Sequence, residues 1–198
     1  MKETDRILLT GVIILVLLMA APAAAVRSMT INAGNGQTAT VASALAVSPS
    51  IRITDDGDPV SGVRVTFTVT GGGGTVTGPV AVTNANGIAT VGSWRLGTQA
   101  GTNALRAANG SLAVAFTATG TAGAATRMEK YGGDGQSAAV STAVAIPPSV
   151  RVFDVYQNPV PGRQVLFTVS VGGGTVVPVT ALSTNANGIA AVTQWNLG

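Results

Sequence analysis

Beyond residue 25, few side chains could do acid, base or metal chemistry: Asp55, Asp56, Asp58, Glu129, Asp134 and Asp154. The densest group is "DDGD" at 55–58, and clustered carboxylate oxygens are what a hard cation such as calcium seeks. No glutamate follows at the spacing a calcium loop needs, and the related stretch "DVYQN" further on keeps only Asp154. A turn is therefore expected here, and no metal ligand. A carboxylate pair for glycoside cleavage would have to come from the same six residues, which lie in turns or near a domain junction. The chain has no His to activate a serine and no Ser-x-x-Lys. The glycine runs Gly71–Gly74 and Gly172–Gly174 lack the Lys-Ser/Thr of a phosphate loop and precede strand-like sequence, so mobile turns are expected. Asn109-Gly110-Ser111 matches the N-glycosylation triplet, a pattern short enough to arise by chance. Lys130 is the only lysine after residue 25, which argues against a lysine–asparagine cross-link as a repeated device. No catalytic, cofactor-binding or metal-binding residue is assigned, and no enzyme is expected.

The elements that hold these residues follow from composition and pattern. Lys2 and Arg6, the apolar run from Ile7 to Met19, and "PAAA" at 22–25 have the layout of a secretory signal peptide cut after Ala25. The run is shorter than the roughly 20 residues of a spanning helix, so no stable membrane span is expected in the mature chain. No cysteine lies near the cut to accept a lipid. A secreted or cell-surface location is expected. Removing the leader leaves the net charge of +3 unchanged, because Lys2 and Arg6 balance Glu3 and Asp5. Only 10% of residues are charged, and the arginines stand singly with no aromatic interleaving, so no nucleic-acid footprint is present. Without cysteine, each domain must be held by its own core. A hydrophobic content of 46% is enough to supply one and argues against disorder.

The chain repeats itself. Met29 aligns with Met128, Asp58 with Asn158 and Thr83 with Thr184, so the offset drifts from 99 through 100 to 101. The extra residues fall in turns, as expected of a repeated domain. A period of about 100 exceeds the roughly 20–50 residues of a solenoid unit and suits a tandem of whole small domains. Within each copy the apolar pattern has period two. Val63, Val65, Phe67 and Val69 share one face, as do Val165, Phe167 and Val169, with Thr and Arg on the other. Ile51 and Ile53, Val150 and Val152, and Val114, Phe116 and Ala118 alternate in the same way. Such strands, separated by Gly- and Asn-rich turns, predict an all-β fold of tandem immunoglobulin-like antiparallel sandwiches. Asn86-Gly87 and Asn187-Gly188 are expected to form two-residue type I′ hairpin turns. Trp94 lies on the opposite parity to Ala89 and Val91, and a bulge near Gly92 is expected to return it to the core. Tyr131 and Tyr156 are not placed in the core by this pattern.

"IRITDDGDPVSGVRVTFTV" followed by "TNANGIATV", with the second "VRVFDVYQNPVPGRQVLFTV" and "TNANGIAAV", resembles the bacterial Ig-like domain group 1, the stalk domains of invasin and intimin adhesins. The likeness covers residues 27–198. It implies Ig-like sandwiches that build extended surface structures. Receptor binding in that family lies in distal domains with no counterpart in this sequence, so no functional residue carries over, and the outer-membrane barrel of the classical adhesins has no counterpart in it either. The expected organisation is a signal peptide at 1–25, an Ig-like domain at 26–122 and a second, C-terminally truncated one at 123–198. The second copy stops at Gly198, where a counterpart of residues 98–122 should begin, so a fragment of a longer array is expected. Two functions follow. One is a non-catalytic stalk that supports adhesion to a protein or glycan on another cell or surface, through distal domains. The other is a spacer or carbohydrate-binding accessory module of a larger secreted enzyme.

Overall fold

The computed structural model describes residues 26–198, and every element in them is a strand or an irregular connection. The expected leader, residues 1–25, lies outside the described residues. Among the described residues no helix is long and apolar enough to cross a membrane.

The first copy supplies β1 (Arg27–Ala33), β2 (Gln37–Thr40), β3 (Ser50–Asp55), β4 (Asp58–Pro59), β5 (Arg64–Gly71), β6 (Thr75–Thr77) and β7 (Val80–Val82). It continues with β8 (Ile88–Thr90), β9 (Ser93–Arg95), β10 (Gly101–Asn109) and β11 (Leu112–Thr121). One sheet holds β1, β3 and β4, with β8 on the second edge of β3; the other runs β2-β11-β10-β5-β7. The pairs are antiparallel except β2 with β11, which run parallel. Between the sheets lies the core that the alternation predicts. Ile51 and Ile53 face Val65, Phe67, Leu105, Ala107 and Phe116, all nearly inaccessible to water.

Trp94 enters this core fully buried, by a route other than the expected bulge. β8 pairs with β3, whereas β9 pairs with β6, so the chain changes partner between Thr90 and Ser93. Val91 N–H bonds to Pro49 on one side and Gly92 N–H to Thr77 on the other. This change of partner resets the parity and turns the indole inward.

The second copy supplies β12 (Arg127–Gly132), β13 (Ser149–Phe153), β14 (Gln164–Val165), β15 (Thr175–Val177), β16 (Leu182–Ser183), β17 (Ile189–Ala191) and β18 (Gln194–Asn196). The sheet β12-β13-β17 matches β1-β3-β8, and β15–β18 matches β6–β9. Counterparts of β10 and β11 are missing from the described residues, and the sandwich is incomplete. Where β5 runs eight residues, its counterpart β14 keeps two. Where β2 pairs with β11, residues 136–139 form no strand. A ladder needs a partner, and β5 and β2 are the two strands that flank the β10–β11 hairpin.

The turn chemistry differs from expectation. At "TNANG", Gly87 N–H bonds to Asn84 O at 2.9 Å and only Gly87, at φ 73°, is left-handed; Asn86 is not. This is a one-sided turn closed by glycine, with Asn84 Oδ1 accepting the amides of Asn86 and Ile88. It joins β7 in one sheet to β8 in the other, so it is no two-residue hairpin. Gly87 also abuts the carbonyl of Ile53, leaving no room for a Cβ. The doubly left-handed hairpin falls instead at Asp56-Gly57, with φ 48° and 96°, between the paired residues Asp55 and Asp58. "DDGD" is that turn.

Candidate functional site: the joint between the sandwiches

The carboxylates do not converge. Asp55 faces Arg27 at 3.7 Å, Asp56 accepts the Val26 amide, and Glu129 and Asp134 pair with Arg127 and Lys130. Among the described residues no three acidic groups lie close enough to hold a metal ion. A chelator is expected to leave the thermal unfolding midpoint unchanged, as followed by circular dichroism; a clear drop would restore a calcium site at 55–58.

Asn109 sits at the mouth of the β10–β11 hairpin and donates Nδ2–H to Arg64 O at 2.8 Å. Tyr131, on β12, and Tyr156, in the turn after β13, are exposed. The glycine run 71–74 is no loose loop: the side chain of Asn103 fills the space that a Cβ on Gly72 would need.

Asp154 is the exception among the acids, buried to 2% exposure. Its position follows from the one-residue insertion between the copies. The two-residue hairpin Asp56-Gly57 becomes "VYQ" at 155–157, closed by Gln157 N–H to Asp154 O with Gln157 left-handed at φ 70°. In this longer turn Asp154 Oδ1 accepts the amides of Tyr156 and Asn158, both at 2.8 Å. Its Oδ2 accepts Gly123 N–H and Asn158 Nδ2–H, both at 2.9 Å. Asn158, where the first copy has Asp58, then reaches across to the first sandwich. Its Nδ2 donates to Thr98 O at 2.8 Å, and its Oδ1 accepts Ala100 N–H at 2.7 Å.

The joint therefore comprises the loop 98–100 of the first sandwich, the connector at Gly123, and the turn 154–158 of the second. A buried carboxylate is tolerated only when hydrogen-bonded, and Asp154 accepts four bonds. Burial pushes its carboxyl up, but the bonds from the Asn158 side chain and from the Gly123, Asn158 and Tyr156 amides outweigh it and hold the pKa below the usual 3.8. The sign follows directly: a depressed folded-state pKa contributes stability that is complete above the unfolded value and is lost as pH falls through the folded one. The wild-type melting midpoint should fall on acidification below about pH 4, with part of that fall absent in Asp154→Asn. Parallel pH profiles for the two proteins would place the acid sensitivity elsewhere.

Sequence reasoning treated Asp154 as the remnant of a dismissed calcium turn and did not single out Asn158. The available signal was the substitution of Asn for Asp at 158 beside the insertion. Its partners lie about 60 residues away, outside any local motif.

No protein-family model matches the chain, and no curated protein matches it. Solved structures do overlap it. The D0-D1 domain of intimin is 21% identical, with a TM-score of 0.39, over 87% of this chain and 86% of that one. The adhesin InvE of Yersinia pseudotuberculosis is 18% identical, with a TM-score of 0.41, over 85% of this chain and 51% of that one. Domains 5-6 of the S-layer protein SbsC are 17% identical, with a TM-score of 0.33, over 86% of each chain. The strand pairing of this chain, rather than these overlaps, defines its fold. The chain is similar to solved adhesin and surface-layer domains, among them intimin, whose group its repeated motifs resemble.

Proposed function

We propose that the chain is a non-catalytic structural module of the cell surface or extracellular space, a stalk segment in which Ig-like sandwiches are fixed to one another by a hydrogen-bonded joint. The units are residues 26–122 and 123–198. The observation that carries this reading is Asn158, whose side-chain amide is fully used in bridging Thr98, Ala100 and Asp154. A flexible bead-on-string linker needs no buried side chain committed to its neighbour's backbone. A spacer that holds a partner-binding element away from a surface does, because free bending at each joint would shorten its reach. In this reading adhesion to a protein or glycan resides in domains beyond those described, and the leader-like residues 1–25 direct export.

The alternative, a carbohydrate-binding accessory module, rests on exposed aromatic rings. Tyr131 and Tyr156 are exposed but lie on different elements, and Trp94 is buried.

Spin labels at exposed positions 68 and 180, one in each sandwich, test the joint. A narrow distance distribution is expected for the wild type and a broader one for Asn158→Ala, with the strand content by circular dichroism retained. A broad distribution in the wild type would refute the stalk reading.

A further inference from the structure

The loop 98–100 offers the second sandwich one acceptor and one donor, Thr98 O and Ala100 N–H. Together they are the complement of a primary carboxamide, which carries an N–H donor and a carbonyl acceptor on one flat group. Asn158, only 6% exposed, satisfies both, at 2.8 and 2.7 Å. Its nitrogen also donates to Asp154 Oδ2 at 2.9 Å. Asp154 is a positioning residue here. As an ionised carboxylate it accepts only, so it takes the nitrogen end of the amide and fixes which way the group faces.

We propose that loop 98–100 is a carboxamide-reading docking face. It seats a sandwich that carries a three-residue turn followed by asparagine, and it refuses one that carries a two-residue turn followed by aspartate. The inference rests on the stalk reading and adds to it the rule by which one sandwich accepts another.

Both kinds of turn occur in this chain, on matching strands. In the second sandwich Asp154 holds its own turn by accepting the Tyr156 and Asn158 amides, and Asn158 projects from it into the joint. In the first, only Asp56 and Gly57 separate Asp55 from Asp58. Asp55, at the place of Asp154, faces Arg27, and its Oδ1 has no hydrogen-bond partner. Asp58, at the place of Asn158, is exposed. Aspartate and asparagine have nearly the same shape, so the discrimination lies in donors alone. A carboxylate at 158 could still accept Ala100 N–H, but its other oxygen would face Thr98 O and Asp154 Oδ2. Three acceptors would then meet with no hydrogen between them, in a buried place where unpaired polar groups are costly. Selection against the wrong partner needs such a mismatch as much as it needs good contacts to the right one. The order in which units join is thus set by the turn.

Asn158→Asp replaces one amide nitrogen by oxygen and keeps the shape, and the labels at 68 and 180 read its effect. The narrow distance distribution is expected to be lost, with a width equal to or greater than that of Asn158→Ala. The Ala100 amide is expected to exchange about tenfold faster or more. Replacing "DVYQN" at 154–158 by the "DDGD" of 55–58 guards against a misfolded Asn158→Asp protein, because matching strands already close that turn in the first sandwich. This graft should give the same broad distribution, with the strand content by circular dichroism retained. A distribution as narrow as that of the wild type in either variant overturns the proposal. A broad one in the wild type itself overturns the stalk reading, and the rule with it.

Discussion

Trp94→Ala is expected to destabilise the first sandwich by roughly 3–5 kcal/mol, the range for truncating a large aromatic in a core. Trp94 is fully buried, in a core cluster with Ile51, Ile53, Phe67 and Phe116. The removed ring leaves a cavity that two sheets locked by β1–β3 and β5–β10–β11 pairing cannot collapse to fill. The same substitution at Trp195 should cost about half as much or less, because that ring is only half-buried beside an open cleft. Trp94→Phe separates packing from polarity. The indole Nε1–H is buried without a partner, so phenylalanine removes an unsatisfied donor while leaving a smaller void. Its cost should therefore fall well below that of alanine. Urea unfolding followed by circular dichroism measures all three. A Trp94→Ala midpoint equal to wild type would show that the ring does not hold the core.

Much of this architecture is legible in the sequence because it depends on period-two alternation, which a strand with one dry face cannot avoid. Val63 to Val69 and Leu112 to Ala118 reveal their buried sides residue by residue. Turn conformation is less legible. Asn-Gly and Asp-Gly both tolerate left-handed angles, and which pair adopts them on both residues depends on what the flanking strands join. At 56–57 they join neighbours in one sheet; at 86–87 they join different sheets. The joint is hardest to see. Asp154 and Asn158 acquire meaning only when Thr98, Ala100 and Gly123 are brought to them by two folded sandwiches, and a single inserted residue makes the difference between an exposed hairpin tip and a buried cap.

In hydrogen exchange on residues 26–198, the slow amides should lie almost entirely before residue 122. Two copies of one repeated motif make the contrast internal. The amides of β5 are bonded within a five-stranded sheet over a continuous core, so their opening requires global unfolding of that sandwich. Residues 166–170 have the same alternation and the same Phe, but no strand pairs with them, and their core cluster of fully buried residues is reduced to Val152, Val165 and Ala190. Exchange there should be faster than at 66–70 by a factor of about one hundred or more, equivalent to about 3 kcal/mol of opening free energy. Residues 149–151 and 189–191 should be intermediate, because β13 and β17 still pair. The order matters as much as the size. Alternation alone would protect 66–70 and 166–170 equally; protection that follows the pairing of β10 and β11 would show that the hairpin, and not the hydrophobic pattern, closes an Ig-like sandwich of this sequence. Equal protection in the two halves would mean that the second sandwich closes by another route.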